Sequence, residues 1–162
     1  MSVEYLKRAT KTSATGEDDT REQVARMLRV LERGGEDTVR AYAQKFDGWD
    51  GDIVVGREAI ARASASLPQR LKDDIAFAHD RIRAFAERQR QSMDEFEVEL
   101  SPGLWTGQRL VPVATAGCYI PGGRYAHVAS AIMSVTTARV AGVPHVIACS
   151  PARGGEGVNP AI

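Results

Sequence analysis

The sequence carries no excess of charge of either sign, with 21 Lys and Arg set against 21 Asp and Glu in 162 residues. Broad electrostatic attraction to nucleic acid or to an anionic membrane is thereby excluded as a basis of function, and any partner must be recognised through local sites. Long hydrophobic runs are also missing. The most apolar stretches, such as 143–149, are interrupted by Pro144 and His145 and fall far short of the roughly 18 residues that cross a bilayer. Cysteine is scarce: Cys118 and Cys149 stand alone, with no CxxC and no His at ligand spacing. Neither a disulfide framework nor a zinc site is indicated, and two small buried hydrophobes in a reducing compartment is the simpler reading. The opening residues 1–8 hold a basic pair with no apolar segment behind it. They do not read as a secretory signal, which makes the cytoplasm the default location.

What is present is a globular composition, 43% hydrophobic, on a chain long enough for one ordinary core, since a domain takes roughly 100 to 200 residues. Disorder is excluded as the main state. The most informative feature is where the charges sit. Only Arg124, Arg139, Arg153 and Glu156 follow residue 110, so the two stretches must face different environments. The first has the character of solvated helices, the second that of the buried middle of an α/β sheet.

In the first stretch Thr20-Arg-Glu-Gln23 has the capping-box pattern, followed by Val24, Met27, Leu28 and Leu31 on one helical face and by Gly34-Gly35 as a stop. Val39, Tyr42, Ala43 and Phe46 repeat the spacing before the turn-rich residues 47–51, which predicts a second helix and an αα-hairpin. A third helical piece covers 57–67. Ser66-Leu-Pro68 then starts a long helix with Leu71, Ile75, Ala78, Ile82 and Phe85 along one side. Its basic residues are interspersed with Asp73, Asp74, Asp80 and Glu87, the pattern of a solvated face and not of a nucleic-acid surface. His79 has no second His or Cys at i+3 or i+4 and reads as a surface or edge residue. Strict alternation over 95–100, a Pro102-Gly103 turn and a return over 104–113 predict a β-hairpin whose Glu95, Glu97 and Glu99 mark the wet face.

From Val113 the pattern is strand, glycine loop, helix, strand. Residues 113–120 are apolar nearly throughout, as a strand covered on both faces should be, and Pro121-Gly122-Gly123 ends them. A helix over 127–141, rich in small residues, leads through Gly142 to a second buried strand over 143–150. This is a βαβ unit with parallel strands. A glycine turn at the carboxyl end of such a strand, opening into a helix N-terminus, offers free main-chain N–H groups to a ligand phosphate, as in a dinucleotide site. The same turn needs glycine whether or not anything binds there, so both readings stand.

Gly117-Cys-Tyr-Ile-Pro-Gly-Gly123, Ser130-Ala-Ile-Met133, Ala138-Arg-Val-Ala-Gly-Val143 and Cys149-Ser-Pro151 resemble, in register and spacing, the run of motifs that opens the core of the histidinol dehydrogenase family. The helical first stretch and the approach Gln108-Arg-Leu-Val-Pro-Val113 are similar to that family too, so the resemblance covers essentially the whole chain. Within it, residues 117–119 and 123–131 resemble more closely the branch that oxidises sulfopropanediol, (R)-2,3-dihydroxypropane-1-sulfonate, than the branch acting on L-histidinol in histidine biosynthesis.

The resemblance implies an NAD-dependent, zinc-containing cytoplasmic homodimer that oxidises a primary alcohol through an aldehyde to a carboxylate in two hydride transfers. On the family pattern Tyr119 contacts NAD, with Pro121, Gly122 and Gly123 forming the loop beside it; the alternative for Tyr119 is an aromatic plug at a sheet edge. Two departures from the histidinol branch stand out, the polar residues Arg124, Tyr125 and His127 after the double glycine and Thr137 where many relatives carry proline. A guanidinium fork suits an oxyanion such as a sulfonate, with Tyr125 and His127 as auxiliary donors, so these three are candidate substrate contacts. Arg124 could instead pair with a cofactor phosphate or a partner carboxylate. The family's zinc ligands and its Glu-His acid/base pair are expected beyond residue 162, so this chain is assigned no catalytic residue and no metal ligand.

The expected fold is therefore α/β and apparently truncated: a helical N-terminal, dimerisation segment over 1–94, a β-hairpin connector over 95–113, and over 114–162 the incomplete start of an NAD-binding, Rossmann-like domain. Residues 157–162 read as the start of a helix after Pro160. Two parallel strands make too little sheet for a doubly wound domain, so the chain alone is expected to expose apolar surface and to be inactive. The rival reading is a genuine short protein, a binding or dimerisation module without chemistry.

Overall fold

The computed structural model describes residues 15–122 and 125–162. The opening residues read above for a targeting signal lie outside this range, as do Gly123 and Arg124. The chain divides into two compact units, Met1–Tyr42 and Ala43–Ile162. Helix α1, Thr15–Asp47, supplies the described part of the first unit and the entry to the second. It begins before the capping pattern, so Thr20 lies inside the helix and not at its start. The predicted glycine stop is real but only one residue long: Gly35 takes φ 54° and ψ −141°, breaking α1 into two helical segments. Met27 and Leu31 are half-buried, whereas Val24 and Leu28 of the same stripe are exposed.

In the second unit α1 ends at Asp47 and the chain turns through Gly48, at φ 63°. The indole N–H of Trp49 donates to the Asp52 carbonyl at 3.1 Å. Helix α2, Arg57–Ser66, follows, then α3, Gln69–Gln91, whose first hydrogen bonds go to the carbonyl of Pro68. Leu71, Ile75, Ala78 and Ile82 are half-buried as the helical period requires, but the stripe continues to buried Ala86 and leaves Phe85 exposed.

Strands β1, Phe96–Ser101, and β2, Leu104–Gln108, form the predicted antiparallel hairpin, with an irregularity in register between Glu99 and Ser101. Two of the three glutamates do more than face water. Glu99 accepts the Gly103 main-chain N–H at 2.7 Å and closes the turn, and Glu95 accepts that of Leu110 at 2.8 Å, fastening the exit of β2. Both faces of the hairpin are open, with Phe96, Val98, Leu104 and Trp105 all exposed.

The βαβ unit is present, with β3, Thr115–Tyr119, α4, Val128–Val140, and β4, His145–Cys149. β3 and β4 pair in parallel from Thr115 opposite His145 to Tyr119 opposite Cys149. α4 packs on both strands and, on another side, along α3. Its C-terminus closes with two reverse bonds, Val143 N–H to the Ala138 carbonyl and Gly142 N–H to that of Arg139, with Gly142 at φ 89° where a side chain would be strained. Arg90 of α3 reaches across to donate to the Val140 carbonyl at 2.7 Å, placing a cation at the negative end of α4. Residues 159–162 form a turn in which the Asn159 side chain accepts the Ala161 N–H at 3.0 Å.

Two expectations are corrected. The strands are covered on one face only: Cys118 and Ile120 are buried, while Tyr119 and Ile147 are exposed. Cys149, expected to be buried, is exposed, and both cysteines are free. The physical reason is common to both. A βαβ unit lays one helix on one side of its strands, and apolar residues on the other side wait for a layer the described residues do not supply.

Replacing Arg90 with Met keeps the aliphatic stem and removes the bond to Val140, so stability should fall by about 1 kcal/mol, read as a lower denaturant midpoint at unchanged slope. Residues 1–162 expressed alone should enhance the fluorescence of a hydrophobic dye in native buffer; no enhancement would show that the exposed apolar faces find cover within the chain.

Candidate functional site

The site lies at the carboxyl end of the parallel pair. The period of two along β3 sends Cys118 and Ile120 into the covered face and Tyr119 to the other, where its ring is 66% exposed. The ladder runs one bond further, from the Ile120 N–H to the Cys149 carbonyl at 2.8 Å, so both strands leave the sheet together. Pro121 is half-buried and Gly122 buried. A methyl built on Gly122 would stand 2.8 Å from Ser150 Oγ and 3.2 Å from the Pro151 carbonyl oxygen. Glycine is therefore required here by close approach, because the loop leaving β3 rests directly on the chain leaving β4.

Tyr125, where the described chain resumes, is 72% exposed. His127 is exposed and occupies the N-cap position of α4, where its carbonyl accepts the Ala131 N–H at 3.2 Å and its side chain makes no capping bond. Of the residues named from sequence, Tyr119, Pro121, Gly122, Tyr125 and His127 thus line one connection, between the end of β3 and the start of α4. It presents two phenols and an imidazole to solvent beside a main-chain turn and a helix N-terminus, an arrangement able to meet a planar ring and an anionic group.

Two contributors were not singled out in the sequence. Ser150 lies against Gly122, and its Oγ is buried with no hydrogen-bond partner. The signal was the Cys149-Ser-Pro151 triplet at the end of a predicted strand, the position that mirrors Tyr119-Ile-Pro121. Trp49 is the other. Its ring lies 3.3 Å from the place a Gly157 side chain would occupy, with Gly157 at φ 82°. The loop following β4 thereby rests on the turn that ends α1, a contact between positions too far apart in sequence for any local pattern to reveal.

Among the described residues no three His, Cys, Asp or Glu side chains converge on a point that could hold a metal ion. Concave space occurs elsewhere. A cavity of about 850 Å³ between α3 and α4 is lined by His79, Arg83, Glu87, Arg90, Thr136 and Arg139 among others. Arg83 donates to Glu87 at 2.9 Å, and that bond, then the Glu87 charge, raises its pKa above the ordinary arginine value, so it acts only as a fixed cation. A second cavity of about 790 Å³ lies where α3, α4 and residues 110–113 meet. Neither cavity is lined by Tyr119, Tyr125 or His127.

No helix among the described residues is long and apolar enough to cross a membrane. A family model described as histidinol dehydrogenase matches residues 10–162. The chain is 51% identical over 162 residues to the sulfopropanediol 3-dehydrogenase of Ruegeria pomeroyi, a match covering 100% of this chain and 37% of that protein. It is 50% identical over 163 residues to a histidinol dehydrogenase homolog of Pelagibacter ubique, covering 100% of this chain and 38% of the relative. Among solved structures, histidinol dehydrogenase from Elizabethkingia anophelis superposes with a TM-score of 0.82 at 24% identity, over 96% of this chain and 35% of that one. That likeness establishes the fold, and the chain spans little more than a third of the length of each of these three proteins.

Gly122→Ala must displace either Ser150 or the Pro151 main chain. The expected cost is about 1 to 3 kcal/mol, visible as a lower unfolding temperature; an unchanged one would mean that the two loops are not in contact.

Proposed function

Because the chain belongs to the histidinol dehydrogenase family, we propose that it forms part of an NAD-dependent, zinc-dependent dehydrogenase that oxidises a primary alcohol through the aldehyde to a carboxylate. The protein would act as a cytoplasmic homodimer, with (R)-2,3-dihydroxypropane-1-sulfonate as the preferred substrate over L-histidinol. The observation that carries the reading is the exposed Tyr119 at the carboxyl end of β3, beside a glycine turn that opens into α4. This is where parallel sheets receive dinucleotides.

The residues present fit such a cofactor. The first main-chain N–H groups of α4 have no side-chain cap, and the Tyr119 phenol beside them is exposed. Tyr119 would pack a phenol against a planar ring of the cofactor, and the turn from Pro121 to Gly123 would bring main-chain donors to its phosphates. Bound NAD accepts the hydride. Arg124, Tyr125 and His127 would orient the anionic end of the substrate, which suits a sulfonate because a guanidinium and two auxiliary donors together satisfy several of its oxygens.

The described residues offer no set of donors for zinc, so no step through the metal is derived from them. The proposed zinc ligands and acid/base pair belong to the greater length of the family's proteins. Support for the sulfonate over histidinol comes from the 51% identity to a protein named for sulfopropanediol and from the polar residues that follow the double glycine. The exposed stripe of α1, with Val24 and Leu28 uncovered, supports a role for the first unit in dimer contact.

The deciding experiment supplies saturating NAD and zinc with each alcohol to the enzyme that contains this chain. NADH should form faster with the sulfonate, and faster turnover of histidinol would reverse the substrate assignment. Tyr119→Ala should raise the KM for NAD about tenfold, the equivalent of about 1.4 kcal/mol of binding, with a smaller effect on the KM for the alcohol. Residues 1–162 alone should form no NADH with either alcohol, and turnover there would place the chemistry within this chain.

A further inference from the structure

A buried hydroxyl without a hydrogen-bond partner is rare in a folded chain, and each one calls for an explanation. Ser150 Oγ is such an atom. It sits one residue beyond the last pair of the parallel ladder, Tyr119 opposite Cys149. Gly122 and Pro151 stand beside it: the missing side chain of Gly122 would lie 2.8 Å from the hydroxyl and 3.2 Å from the Pro151 carbonyl oxygen. The Gly122 main chain and the Pro151 carbonyl are therefore the neighbours that a small movement would bring to it.

We propose that Ser150 is a positioning residue for the cofactor loop, its hydroxyl taking a hydrogen bond from or to the main chain around Gly122 when the dinucleotide is bound. The inference rests on the reading of this loop as an NAD site. In this structure the hydroxyl is buried and has no partner. When the cofactor draws the loop into its bound position, Ser150 gains its partner, and that bond favours the bound form over the free one. A serine at this position gives an advantage that shows only on loading, since a differential interaction between two states is what shifts their equilibrium.

The test compares wild type with Ser150→Ala in the intact enzyme, using NADH titration and thermal unfolding with and without NADH. Removing a hydroxyl that has no partner should leave the unfolding temperature of the free enzyme unchanged or slightly raised. The same change should weaken NADH binding about two- to tenfold, the range of one ordinary hydrogen bond, and shrink the rise in unfolding temperature that NADH produces. The KM for NAD should rise with little change in kcat. A fall in the stability of the free enzyme would show that the hydroxyl is already bonded there, and equal NADH affinity in the two proteins would show that it gains nothing on loading; either result overturns the proposal while leaving the NAD site intact. Absence of NADH binding by wild type would overturn the reading of the loop itself, and the role of Ser150 with it.

Discussion

Helix α4 offers little polar surface to water. Along Val128–Val140 its apolar and small residues lie all around the axis, with Arg139 its only charged residue, and a helix of that kind must be covered on more than one side. The second unit covers two of its sides and leaves the row Ala129, Met133 and Thr137 exposed. β3 and β4 close over one side of α4, α3 lies along another, and the residues that become buried, Ala86, Cys118, Ile120, Thr136 and Val143, come from α3, α4 and the two strands or their immediate ends. Arg90 then fastens the arrangement where α4 ends, at a carbonyl that the helix itself leaves without a partner.

The same constraint positions the candidate site. With α4 fixed beneath the strands, the connection from Tyr119 to His127 has to rise over the carboxyl end of the sheet. The chain leaving β4 comes up beside it, close enough that only glycine fits at position 122. The phenols of Tyr119 and Tyr125 and the His127 imidazole collect at this end, while Arg139 donates to the Pro144 carbonyl near the opposite end of the strands. The site is open because the face that Tyr119 shares with Ile147 carries no second layer. In parallel sheets that face is ordinarily covered by further helices, which accords with the chain spanning 37% of the sulfopropanediol dehydrogenase it matches.

Much of the architecture was legible because it depends on local patterns. The glycine break at Gly35, the start of α3 after Pro68, the hairpin turn at Pro102-Gly103 and the βαβ order all follow from capping, turn chemistry and periodicity, which act within a few residues. The start of α1 was misplaced because the capping-box pattern at Thr20 does not mark a start here: the helix already runs from Thr15. In the site, Tyr119 and the glycine turn were visible as a strand end followed by a breaker. Ser150 and Trp49 were not, since their importance lies in contacts with Gly122 and Gly157 across long separations in the chain.

By itself, then, the sequence determined which segments are helices and strands, that the two strands run parallel, and that a glycine turn would stand at the carboxyl end of the first. Those properties are set by interactions between neighbours, which any chain carries with it. The tertiary structure alone decided which face of each strand is covered, which of the two cysteines is buried, and that Ser150 meets Gly122. Such facts depend on which layer packs against which, and the free energy that selects the packing belongs to pairs of segments and is written in neither one of them.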